Sequence, residues 1–187
     1  MLLKVENLTY EADKRTILNN INLNIEKGDT IAVIGPSGSG KSTLFKQLNN
    51  LISPTEGELY LDGKNYNDYS PEELRSRVSY LMQQSGLIGS TIEHNMKFPC
   101  EARGDKFDRE KAKQLIKQVG LGDYDLDAEI EHMSGGERQR ITIARQLMYE
   151  PEVLLLDESI SALDTKNKEN IENIIFDLAK KGVAILW

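Results

Sequence analysis

A β-branched and apolar run, Thr30-Ile31-Ala32-Val33-Ile34, leads into Gly35-Pro36-Ser37-Gly38-Ser39-Gly40-Lys41-Ser42-Thr43, and a helical pattern follows from Ser42 to Leu51. Strand, glycine-rich loop and helix in that order constrain this chain more than any other feature. A Gly, four residues and then Gly-Lys-Ser is the phosphate-loop pattern. Its glycines let backbone N–H groups turn inward around phosphate oxygens, and the following helix presents its positive end to them. In such a loop Lys41 reaches the β- and γ-phosphates and the Ser42 hydroxyl ligates Mg²⁺. A bare glycine-rich turn is the competing reading, and the correct order of flanking elements disfavours it. The pattern predicts a nucleoside triphosphate site and is silent on what hydrolysis drives.

The rest of the chain supplies the matching architecture. Leu3, Val5, Ile17, Ile21, Leu23 and Ile25 recur with the period-two spacing of half-buried antiparallel strands. Thr30–Ile34, apolar on both faces, is expected at the centre of a sheet. Further strands are expected at Glu58–Leu61, closed by Asp62-Gly63, and at Val78–Met82, Val153–Leu156 and Val183–Trp187. Ser70-Pro71-Glu72-Glu73 starts a short helix. Helical spacing covers Asp108–Val119, with Phe107, Leu115, Ile116 and Val119 inward, then Gly135–Tyr149, stopped by Pro151, and Asn167–Lys181. Strands alternating with helices predict an α/β fold with a largely parallel sheet. The helical middle, residues 84–149, interrupts that alternation and is expected to form a lobe of its own.

Two further motifs carry chemistry. Val153–Leu156 ends in Asp157-Glu158, a buried strand closed by two carboxylates that can serve separate tasks. Beside a phosphate loop, Asp157 is placed to hold the Mg²⁺ shell and Glu158 to polarise the attacking water. Met133-Ser134-Gly135-Gly136-Glu137-Arg138-Gln139-Arg140 puts a serine and two glycines at a helix start, a second anion site. Ser134 and Glu137 also satisfy the capping-box spacing. That cap leaves unexplained why two glycines occupy the first turn, where they weaken a helix.

These residues resemble the ATP-binding-cassette ATPases, the energy-supplying ATP-binding subunits of ABC transporters, whose signature is Ser-Gly-Gly-x-Gln/Glu. The resemblance runs along nearly the whole chain. It implies a phosphate-loop NTPase (RecA-like) core with a parallel sheet, an N-terminal antiparallel β subdomain and an inserted α-helical subdomain. Residues 1–83 and 150–187 would form the core and β subdomain, and 84–149 the helical subdomain with the signature. Ser53-Pro54-Thr55-Glu56-Gly57-Glu58 with Asp62-Gly63 looks like the family's turn after the phosphate loop. Tyr80-Leu81-Met82-Gln83 resembles the Q-loop, in which Gln83 touches Mg²⁺ and the attacking water, with Gln84 as the alternative register. Ser161-Ala162-Leu163-Asp164 matches the D-loop that crosses between subunits. Tyr10 is the candidate aromatic for adenine, with a core tyrosine as the competing reading. The resemblance further implies a head-to-tail homodimer closed on ATP. Each nucleotide would lie between the phosphate loop of one chain and Ser134–Gly136 of the other, with Glu137 beside them.

A narrower likeness is to the ATPase subunit of bacterial iron exporters (the FetA-like family). It is carried by Leu87-Ile88-Gly89-Ser90-Thr91-Ile92, Asn95, Phe98-Pro99, Ile160–Asp164 and Ala184–Trp187. It implies an integral membrane permease as partner, docked on a groove near Gln83–Ile92 and Phe98, and a cytoplasmic subunit peripheral on the inner face of the membrane. A soluble cassette ATPase of an assembly system, such as iron–sulfur cluster assembly, is the alternative. These 187 residues hold no long coiled-coil arm and no second cassette, which disfavours the chromosome-maintenance and translation-factor types of the family.

Composition adds exclusions. Lys and Arg number 23 against 30 Asp and Glu, a net charge of −7, which argues against a nucleic-acid surface. One cysteine, Cys100, cannot form an internal disulfide. No apolar run approaches the ~20 residues that span a bilayer, and the N-terminus has no signal-peptide pattern. His94 and His132 are far apart, and no cluster has metal-ligand spacing. In the family the last strand continues into a Thr-His pair whose histidine senses the γ-phosphate, and no histidine follows Trp187. On the resemblance, the 187-residue chain is expected to lack that histidine and the last helices, to bind ATP weakly and to hydrolyse it poorly.

Overall fold

The computed structural model describes residues 1–82, 86–157 and 163–187. The chain divides into two compact units. One comprises Met1–Tyr80, Pro151–Asp157 and Leu178–Trp187; the other comprises Leu81–Glu150 and, of the described residues, 163–177.

In the first unit, strands β1 (Leu3–Ala12) and β2 (Arg15–Ile25) form an antiparallel hairpin, with Val5 opposite Leu23 and Ala12 opposite Arg15. Asp13 and Lys14 both take positive φ (50° and 61°), the tight-turn geometry that matches strand twist. A two-residue strand, β3 (Thr30–Ile31), and helix α1 (Lys41–Leu48) follow. β4 (Glu56–Leu61) then pairs antiparallel with the free edge of β1, and β5 (Lys64–Asn65) completes the order β2-β1-β4-β5. Leu3 and Val5 of β1 and Leu59 and Leu61 of β4 are buried, as their alternation requires, and Leu8 is buried out of that period because the register shifts between Val5 and Leu8.

Helix α2 (Pro71–Arg77) begins where the Ser70 side chain accepts the Glu73 amide at 3.1 Å, the expected cap. It leads into β6 (Val78–Leu81). With β7 (Val153–Leu156) and β8 (Ala184–Leu186) this strand enters a second sheet of order β3-β8-β7-β6, parallel at β3–β8 and at β8–β7. One face of that sheet, through Val153, Leu155, Ala184 and Leu186, shares a core with the antiparallel sheet and with Phe45 and Leu48 of α1. Arg77 binds Glu152, Asp62 and the Tyr69 hydroxyl together, tying the end of α2 to both sheets.

The expectation of a central Thr30–Ile34 strand needs correction. β3 stands at one end of the described sheet, Thr30 is exposed and Ile34 is 91% exposed. The strands buried on both faces are β7 and β8, all of whose residues are buried. Backbone pairing still extends beyond β3, since the Val33 amide donates to Trp187 O at 2.6 Å.

The second unit is helical: α3 (Ile92–Arg103), α4 (Arg109–Gln118), α5 (Gly135–Gln146) and the start of α6 (Thr165–Lys180). α3 is an addition to the sequence-based expectation. Its buried Ile92, Met96 and Cys100 recur every four residues between a Thr91 cap and Gly104, but Pro99 interrupts the pattern. α4 runs inside the expected span, capped by Asp108, with Leu115, Ile116 and Val119 buried and Phe107 half-buried. No helix among the described residues is long and apolar enough to cross a membrane.

Candidate functional site

The loop between β3 and α1 is held by its glycines. Gly38 and Gly40 take φ of 79° and 95°, where side chains are strained. A Cβ at Gly40 would lie 3.0 Å from both Ile17 O and Leu18 Cδ2, so any side chain there would press on β2 as well as strain the backbone. A Cβ at Gly35 would lie 2.6 Å from Ser39 Oγ. Pro36, Ser37, Gly38 and Ser39 are exposed, and the Ser39 amide donates to Pro36 O at 3.2 Å. Lys41 folds back over the loop, its ammonium donating to Gly35 O at 2.7 Å and Pro36 O at 3.1 Å. Ser42 is exposed and Thr43 half-buried, while Leu44, Phe45 and Leu48 anchor α1 in the core.

In the same unit Asp157 follows β7 and is only 8% exposed. Its Oδ2 accepts a hydrogen bond from the Tyr80 hydroxyl at 2.7 Å. Burial, and then Asp157 itself, push the Tyr80 phenol well above its ordinary range, so the hydroxyl stays a donor. Tyr10 lies on β1 opposite Leu18, half-buried and packed against the core.

In the second unit, α5 starts with a complete capping box. The Glu137 amide donates to Ser134 Oγ at 3.3 Å, and the Ser134 amide and hydroxyl donate to Glu137 Oε2 at 2.8 and 2.7 Å. The Tyr124 hydroxyl donates to the other carboxylate oxygen at 2.8 Å. These bonds, led by those from Ser134, hold the Glu137 carboxyl below its ordinary range. Gly135 is not demanded by packing, since a Cβ there meets nothing within 4 Å; one at Gly136 would meet Leu163 Cδ2 at an ordinary 3.7 Å. Asp164 precedes α6 and is bound by Asn167 through its amide nitrogen (3.1 Å) and its side chain (2.5 Å), which keep the Asp164 carboxyl low. Arg140, buried on α5, donates to Asn167 Oδ1 and to Gly120 O, so α5 and the first turn of α6 share one hydrogen-bonded chain. Gln83, Gln84, Glu158, Ile160, Ser161 and Ala162 lie outside the described residues.

Several contacts of residues noted in the sequence were not legible there. Tyr80 was legible as part of a strand and of the Q-loop-like run, but not as a partner of Asp157. Asn95, fully buried, clamps the segment before α3 by exchanging bonds with Ile88 O (2.9 Å) and Ile88 N (2.8 Å), and Arg145 donates to it at 3.2 Å. His94 serves the same turn, its Nδ1 accepting the Ser90 amide at 3.4 Å.

A phosphate loop before a buried helix, an acidic strand end in the same unit and a glycine-started second helix define a nucleotide-binding cassette. Residues 18–161 match the family model described as ABC transporter. The chain belongs to that family, as an ATP-binding subunit; members of the family hydrolyse ATP to power transport. It is 41% identical, over all of its length and 83% of the relative's, to the probable iron export ATP-binding protein FetA of Escherichia coli (strain K12). It is 38% identical to the choline transport ATP-binding protein OpuBA of Bacillus subtilis (strain 168), over 96% of this chain but 48% of that one. Among solved structures, a dimeric bacterial ABC transporter cassette superposes with a TM-score of 0.86 at 32% identity, covering 99% of this chain and 86% of that one. A bacterial Atm1-family ABC exporter with ATP bound superposes with a TM-score of 0.89 at 29% identity, over 98% of this chain and 34% of that one.

Proposed function

We propose that this chain binds and hydrolyses ATP to energise a separate membrane permease, working as a peripheral subunit on the cytoplasmic face. The observation that carries the reading is the start of α1: a left-handed Gly40 cap, no side-chain cap, no acidic residue in the first turn, and Lys41 bent over the loop. Backbone N–H groups of residues 38–43 would take the phosphate oxygens and Lys41 the β- and γ-phosphates. Tyr10 would stack on the adenine.

The donor set suits Mg²⁺. The exposed Ser42 hydroxyl and the Asp157 carboxylate are hard oxygen donors in one unit, joined in the proposal by Gln83, and a cation that keeps several waters needs few protein ligands. When bound, the ion neutralises charge developing on the phosphates. Glu158 would then take the proton of the attacking water. Ser134, Gly135, Gly136 and Glu137 of a second copy would close on the γ-phosphate, with Asp164 crossing between copies. The open space around Gly135 supports close approach by a ligand, because packing gives no reason for a glycine there. Iron is the proposed cargo on the strength of the FetA relative. Choline transport by OpuBA, at nearly the same identity, implies that the permease rather than this subunit selects cargo. Met82, Ile88 and Phe98 expose large apolar side chains, which supports a permease-docking surface in this region.

The test is Glu158→Gln. It should give an ATP-dependent dimer on size exclusion, with turnover reduced about 10²–10⁴-fold. Wild-type-like hydrolysis would overturn the assignment, and purification in detergent with a soluble complex instead of a permease would overturn the transport reading.

A further inference from the structure

Strand order sets Tyr80 of β6 beside β7, and its hydroxyl meets the carboxylate at the end of that strand. We propose that Tyr80 is a positioning residue for Asp157, pinning Oδ2 so that the carboxylate presents Oδ1 to the divalent cation that accompanies the nucleotide. The inference rests on the reading of Asp157 as part of the Mg²⁺ site. A carboxylate's terminal torsion is broad and roughly two-fold, so an unpinned group would sample orientations that offer the cation no fixed oxygen. One O–H···O⁻ bond of 2.7 Å at a residue 8% exposed removes that freedom. The ring is itself held: it packs edge-to-face on Phe45, centroids 6.2 Å apart at 73°. Phe45 is fully buried on α1, the helix that opens with Lys41 and Ser42. The hydroxyl is thereby referenced to the acidic strand end on one side and to the phosphate-loop helix on the other. Partners that orient a metal ligand in this way commonly matter to metal affinity by one to two orders of magnitude.

Tyr80→Phe keeps the ring on Phe45 and deletes only the donor. The experiment titrates Mg²⁺ against binding of a fluorescent ATP analogue, and Mn²⁺ against the nucleotide-loaded protein by electron paramagnetic resonance. Asp157→Asn runs alongside. The expected result is a half-saturating cation concentration raised about tenfold in Tyr80→Phe, with nucleotide affinity in EDTA unchanged. The double variant should be no worse than Asp157→Asn alone. If Asp157→Asn shifts the cation titration and Tyr80→Phe does not, the positioning role is wrong and the Mg²⁺ reading stands. If neither shifts it, both fail. If Tyr80→Phe weakens binding equally with and without the cation, the bond is merely structural and the inference falls.

Discussion

Glycine stands at the start of both α1, as its cap Gly40, and α5, as its first residues Gly135 and Gly136, yet their first turns are completed in opposite ways. α1 has no side-chain cap and no acidic residue in its first turn, and it opens on a lysine. A cation at the positive end of a helix is locally unfavourable, and here the carbonyls of Gly35 and Pro36 offset it. α5 carries its own anion: Glu137 sits in its first turn and accepts from the Ser134 amide, the Ser134 hydroxyl and Tyr124. One helix start is left for an anion from outside, and the other is stable as it stands. A breach of local rules, as at α1, marks the place where function sets the sequence.

The largest expected effect breaks the first half of that contrast. Lys41→Ala should reduce phosphate release from ATP about 100-fold or more, as loss of a charge-stabilising donor does elsewhere, with little change in thermal midpoint. Turnover within a few-fold of wild type would show that α1 does not hold the nucleotide.

A pair of glycine substitutions sharpens the contrast next. Gly40→Ala puts a Cβ at φ 95° and 3.0 Å from Ile17 O and Leu18 Cδ2, which should cost about 2–4 kcal/mol in urea unfolding. Gly135→Ala puts a Cβ into open space and should leave stability nearly unchanged while weakening ATP-dependent association. Equal destabilisation by both would mean that packing explains the second glycine as well.

Much of this was legible in the sequence because glycine chemistry, caps and period-two alternation act over a few residues. The phosphate loop, the Ser134–Glu137 box, the Ser70 cap and the β1–β2 pairing are all of that kind. What escaped depends on distant partners. Thr30–Ile34 has the composition of a central strand, but its place in the sheet is decided by β8, more than 150 residues later. The Tyr80–Asp157 bond spans 77 residues and exists only because β6 enters the sheet with β7. α3 was hidden by Pro99, whose local veto is overridden by the burial of Met96 and Cys100 on either side.

The smallest effect distinguishes the two helix starts by proton binding. Hydrogen bonds from Ser134 and Tyr124, with the nearby Arg140 charge, hold the folded Glu137 carboxyl below its unfolded value. A depressed carboxyl contributes stability that is present above the unfolded value and is lost as pH falls through the folded one. The start of α5 should therefore loosen as pH drops below the ordinary glutamate range, seen as earlier exchange broadening of the Glu137 and Arg138 amides by nuclear magnetic resonance. Because the side chain is half-exposed and solvent screens it, the effect on global unfolding should be slight. Glu137→Gln should remove the pH dependence of those amides. The start of α1, with no acid in its first turn, should show none in the same window. If both helix starts respond alike to acid, the carboxylate is not what finishes α5, and the distinction between a helix start that caps itself and one left open fails.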